Sequence, residues 1–96
     1  MIAREIIEER SVSTAIDRAI SKYPRIQEEF EGLKWRLSRA PEDGYCIPGS
    51  KPPFYIFKIE PPIEEVPLIA VLYQYDENQV KIRAIRIIPQ STRGIK

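Results

Sequence analysis

Residues 68–88 read LIAVLYQYDENQVKIRAIRII. Two runs dense in Ile, Val, Leu and Tyr are split by Asp76, Glu77 and Asn78, and this run-turn-run pattern is the sequence form of a β-hairpin. Asp76 is suited to accept turn amides, and Asn78 tolerates the left-handed backbone that a short loop needs. In the first run both alternation classes are apolar: Ile69, Val71, Tyr73 and Tyr75 on one side, Leu68, Ala70 and Leu72 on the other. That predicts a central strand covered on both faces. In the second run Val80, Ile82 and Ala84 alternate with Lys81 and Arg83 before the pattern shifts to Ile85, Arg86, Ile87 and Ile88. Either a β-bulge moves the register near Ala84, or Arg86 points to the apolar face. The bulge is favoured, because an unpaired buried guanidinium is strongly penalised. It puts Lys81, Arg83 and Arg86 on one basic face.

Upstream, residues 3–9 (AREIIEE) suit an edge strand or a first helical turn, and the strand is preferred. Ser11 and Ser13 are candidate N-caps for a helix whose stripe is Val12, Ala15, Ile16, Ala19, Ile20 and Tyr23. Pro24 ends it and opens a second helix, in which Ile26, Phe30, Leu33, Leu37 and Ala40 recur at steps of four and three, closing near Arg39. Trp35 lies opposite that stripe. It either packs on the first helix or the N-terminal segment, or anchors a partner interface. Residues 41–44 (PEDG) and 49–53 (GSKPP) read as turns around a short extended piece at 45–47. Residues 54–60 (FYIFKIE) form a strand, and the proline-bounded connection 61–67 leads into the hairpin. The whole is a single α+β domain over residues 1–96, two helices covering a sheet, with 89–96 expected as a flexible tail.

Fifteen Lys and Arg against fourteen Asp and Glu give +1, which argues against a protein that holds nucleic acid by bulk charge alone. The distribution is uneven: residues 79–96 carry Lys81, Arg83, Arg86, Arg93 and Lys96 and no acid. Cys46 is alone and histidine is absent, so neither an internal disulfide, a zinc site nor a Cys-His nucleophile is expected, and no cofactor. No membrane-spanning run or signal-peptide pattern is present, and a reducing cytoplasm is the expected compartment.

Leu33, Lys34, Trp35, Arg36 and Leu37, followed by Arg39, Pro41 and Gly44, then residues 69–73 (IAVLY) with Asp76 at the turn and Val80, Lys81 and Ile82 beyond it, resemble the RelE/ParE toxin superfamily of bacterial type II toxin–antitoxin systems. The resemblance covers residues 13–88. It implies a helical hairpin on a twisted antiparallel sheet of three to four strands. It also implies a cytoplasmic toxin acting on messenger RNA at the ribosome or on DNA gyrase, and a cognate antitoxin as partner, the chain being a monomer or homodimer without it. Ribonuclease members, by the same resemblance, use basic residues on the concave sheet face together with a His or Tyr near the C-terminus.

This chain departs from that pattern. Ala70 stands where such members often carry Arg, histidine is absent, and no tyrosine follows Tyr75. Arg83 and Arg86 remain as candidate catalytic cations able to stabilise a phosphorane, with Lys58 and Lys81 joining them as candidate nucleic-acid contacts. The competing reading of all four is a solvated strand face. Tyr73 and Tyr75 either stack a base or pack in the core. The alternative function is a degenerate, non-toxic relative of the fold that serves as a protein-interaction module.

Overall fold

The computed structural model describes residues 3–61 and 66–89. Its order is β1 (Glu5–Glu8), α1 (Arg10–Ile20), α2 (Ile26–Arg39), a 3-10 turn (Pro41–Asp43), β2 (Tyr45–Ile47), β3 (Phe54–Ile59), β4 (Leu68–Tyr75) and β5 (Gln79–Ile88). The fold is α+β, with two helices against one five-stranded sheet in the order β1-β5-β4-β3-β2. The tail expected over 89–96 and the middle of the 61–67 connection lie outside the described residues, apart from Pro89, Pro61, Val66 and Pro67.

Two features of the sheet differ from expectation. It has five strands, because Tyr45, Cys46 and Ile47 pair with Ile56, Tyr55 and Phe54 and so join it as an edge. It is also mixed, because Glu5 to Glu8 run parallel to Gln79 to Ile82. The helical hairpin carries the chain from β1 to β2 at the opposite edge, and the antiparallel strands β2 to β5 then return it to β1, so the two parallel neighbours are joined by the long connection that such a pair requires.

The stripe on α2 is buried as its spacing predicts: Ile26, Phe30, Leu33 and Leu37 join Val12 and Ile16 of α1 in one cluster with Phe57, Ile69, Val71, Tyr73, Val80 and Ile82. Neither serine caps α1. The helix starts at Arg10, and the Ser13 hydroxyl instead donates to the Glu8 carboxylate at 2.8 Å. Pro24 sits in the turn between the helices, not in the first turn of α2, which starts at Ile26.

The β4–β5 turn also forms differently. No non-glycine residue among those described has a positive φ, so Asn78 is not left-handed. The Asp76 carboxylate closes the loop instead, accepting the amides of Asn78 at 2.7 Å and Gln79 at 2.9 Å. These two donors are the largest influence on Asp76 and hold its carboxyl below the usual range.

Candidate functional site

The β5 bulge organises the outer face of the sheet. Tyr73 pairs with Ile82 and Leu72 with Ala84, so Arg83 is the extra residue. The alternation then resumes, leaving Val80, Ile82, Ile85 and Ile87 toward the helices and Lys81, Arg83, Ala84 and Arg86 exposed. The bulge read from the sequence is therefore present, and the two arginines share a face.

β4 corrects a second expectation. It is central, but only Ile69, Val71 and Tyr73 are fully buried beneath the helices. Leu68, Ala70 and Leu72 are half-buried on the opposite side, where no described helix or strand lies. Alternation reports how apolar a face is; what covers it depends on the other elements.

Register arranges this open face in two cross-strand rows: Ile56, Leu72 and Ala84 in one, Lys58, Ala70 and Arg86 in the next. Small alanines at 70 and 84 leave a shallow groove of about 440 Å³ over Leu72 and Ile56, with Arg86 on its wall. Lys58 and Arg86 are exposed, and neither makes an ion pair among the described residues. Arg83 differs: its guanidinium pairs with Glu9 at the start of α1 and donates to the Gln74 side chain at 2.9 Å. Much of its charge is met within the chain. Lys81 lies nearer the turn and lines, with Gln74, Gln79 and Arg83, a second hollow of about 320 Å³.

On β3, β4 and β5 the outward positions hold four cations and no carboxylate, histidine or tyrosine. Tyr55, Tyr73 and Tyr75 face the other way, whereas Tyr45 of the edge strand β2 pairs with Ile56 and shares the outward face. Tyr73 is fully buried and its hydroxyl donates to the Pro41 carbonyl at 2.5 Å, while Tyr55 stacks on it at 5.6 Å and tilts against Tyr75 at 5.0 Å. Burial pushes the Tyr73 phenol well above its ordinary range. The neighbouring Tyr75 hydroxyl, with smaller help from desolvation, pushes Tyr55 up to about 12. Of the two readings weighed for Tyr73, core packing is the one observed. This face offers cations and apolar surface, and the groups on it that can carry a proton are the lysines, the Glu9 carboxylate held by Arg83 and the Tyr45 phenol at its β2 edge.

Trp35 lies elsewhere, on α2 beside the free edge of β1. It is 60% exposed, and its ring carries the Arg39 guanidinium at 4.1 Å. Arg4 and Ile6 share a shallow hollow with it. The amides of Glu5 and Glu9 reach the carbonyls of Asn78 and Ile82, so strand geometry leaves those of Ile6 and Glu8 on the outer edge. Below that edge the Lys34 ammonium bridges Glu8 at 2.7 Å and Glu31 at 3.0 Å.

Among the described residues no group of three His, Cys, Asp or Glu side chains is placed to hold a metal ion, and no helix is long and apolar enough to cross a membrane. No protein-family model, no curated protein and no solved structure matches this chain.

The groove residues Ile56, Leu72 and Ala84 did not stand out as functional in the sequence. The signal for Leu72 was the second apolar class of β4, which reads equally well as core.

Proposed function

We propose that this chain is a RelE/ParE-like toxin component of a type II toxin–antitoxin system. It restrains growth through its open sheet face, either at the messenger RNA on the ribosome or at DNA gyrase. The observation that carries this reading is that face itself: a sheet surface over which no described helix or strand lies, with Lys58, Lys81, Arg83 and Arg86 as its charged groups on β3 to β5. The element order supports it, with a helical hairpin between the first strand and the rest of the sheet. The engagement of Arg83 by Glu9, which meets much of its charge within the chain, favours action by binding over strand cleavage.

The antitoxin is the natural occupant of the β1 edge and Trp35, where unpaired strand amides adjoin an exposed indole. Trp35→Ala is expected to weaken that complex by at least about 1–2 kcal/mol, read as a rise in the dissociation constant.

Induced expression without the antitoxin tests the reading. Growth arrest with intact transcripts supports toxicity by binding. Arrest with cut transcripts that disappears in Arg83→Ala plus Arg86→Ala assigns a ribonuclease instead. Normal growth at verified folded levels leaves the non-toxic interaction module as the function.

A further inference from the structure

We propose that the groove over Leu72 and Ala70 seats an acidic amphipathic helix of a protein partner, with two carboxylates seven residues apart meeting Lys58 and Arg86. This deepens the reading of the open face as the acting surface by giving the chemistry of what it grips.

The argument begins with register. Lys58 and Arg86 flank Ala70 in one row, so their Cα atoms stand two strands apart, roughly 10 Å at ~4.8 Å per step. Both are exposed and without a carboxylate partner among the described residues, so their charge is available to an incoming acid. The adjacent row is aliphatic, Ile56, Leu72 and Ala84, and the two alanines open room for side chains from above.

Three occupants meet this geometry differently. An extended peptide presents same-side residues at ~6.8 or ~13.6 Å, and neither spacing fits the pair of cations. A helix returns to the same side after seven residues, having advanced about 10.5 Å, and places positions three and four between them. Single-stranded RNA binds by stacking bases on rings; the groove itself is lined by aliphatic side chains and Arg86, and the exposed Tyr45 ring stands beyond Ile56 at the end of its row. The fit is therefore to a helix lying across the strands, its apolar positions on Leu72 and its acids at the two ends.

The probe is a synthetic helical peptide of about 16 residues in an alanine-glutamine background, long enough to hold some helix in water. It carries Glu at i and i+7 and Leu at i+3 and i+4. With the full chain, it is expected to shift the amide resonances of Ile56, Ala70, Leu72 and Ala84. Lys58→Glu plus Arg86→Glu should weaken it at least tenfold, and a peptide with Lys in place of both Glu should recover that loss on the reversed protein. Ala70→Phe, which fills the groove and leaves both cations, should also weaken binding. Equal binding of the Glu and Lys peptides by the natural chain overturns the proposal. So does no binding, or a single-stranded oligouridylate shifting the same resonances where the peptide does not. The two readings fail separately. Growth arrest without peptide binding removes this partner and leaves the toxin, whereas peptide binding without arrest removes the toxin and leaves the partner.

Discussion

A methyl group on Gly44 would sit 2.1 Å from the Tyr73 hydroxyl oxygen and 3.0 Å from the Ile56 carbonyl oxygen. The backbone of Gly44 is ordinary extended chain, so its requirement is space and not conformational freedom. Tyr73 cannot retreat easily, because it is fully buried and donates to Pro41. Gly44→Ala should cost about 1–3 kcal/mol in urea unfolding, the range for overpacking a filled interior. Tyr73→Phe should cost a similar ~1–3 kcal/mol by leaving the Pro41 carbonyl unpaired. Because the hydroxyl is the atom the new methyl meets first, the double variant should lose less than the sum, by at least ~0.5 kcal/mol. Strict additivity would separate the two positions. Their contact was invisible in the sequence: Gly44 read as a turn residue and Tyr73 as a strand residue, and nothing local says that they touch.

At the scale of elements, β1 is fastened to the helices by Glu8. Burial pushes its carboxyl up, but the Lys34 ammonium and the Ser13 hydroxyl more than offset that and hold it below the usual range. Lys34 is likewise lowered by burial and raised further by Glu8 and Glu31, to a net increase. A depressed carboxyl contributes stability that is present above its unfolded value, ~4.3, and is lost as pH falls through the lower folded one. Glu8→Gln should therefore be less stable than the natural chain at neutral pH, with the gap between them closing below about pH 4 in paired urea titrations. A gap of constant size would mean that the ion pair is not the cause.

The same element shows where sequence reading stops. The α2 stripe, the hairpin and the bulge near Ala84 were legible because each is a local periodicity or a break in one. The parallel pairing of β1 with β5 and the entry of Tyr45 to Ile47 into the sheet are non-local, and three residues between turns carry no pairing signal of their own. Arg83 and Arg86 were correctly placed on one face, but the hold of Glu9 on Arg83 joins opposite ends of the chain and left no local trace.

For the whole molecule, the proposed function gives the two faces of a single sheet different jobs, and adjacent residues of one strand separate them. Val71 points into the helical layer and is 1% exposed, whereas Ala70 points to the open groove between Lys58 and Arg86. If the inner face carries stability, Val71→Ala should cost about 1.5–3 kcal/mol from lost burial and the space left behind. That corresponds to a fall in melting temperature of roughly 10 °C for a domain of this size. Ala70→Gln changes a half-buried position where no described element packs, and should stay within about 0.5 kcal/mol of the natural chain. The expected functional order is the reverse. Ala70→Gln places an amide over the groove and should relieve growth arrest while the protein stays folded, whereas Val71→Ala should keep arrest at temperatures where it remains folded. Thermal unfolding and growth on induction, measured on the same pair, decide it: a large stability loss at Ala70 would mean that the outer face is core covered by another part of the chain.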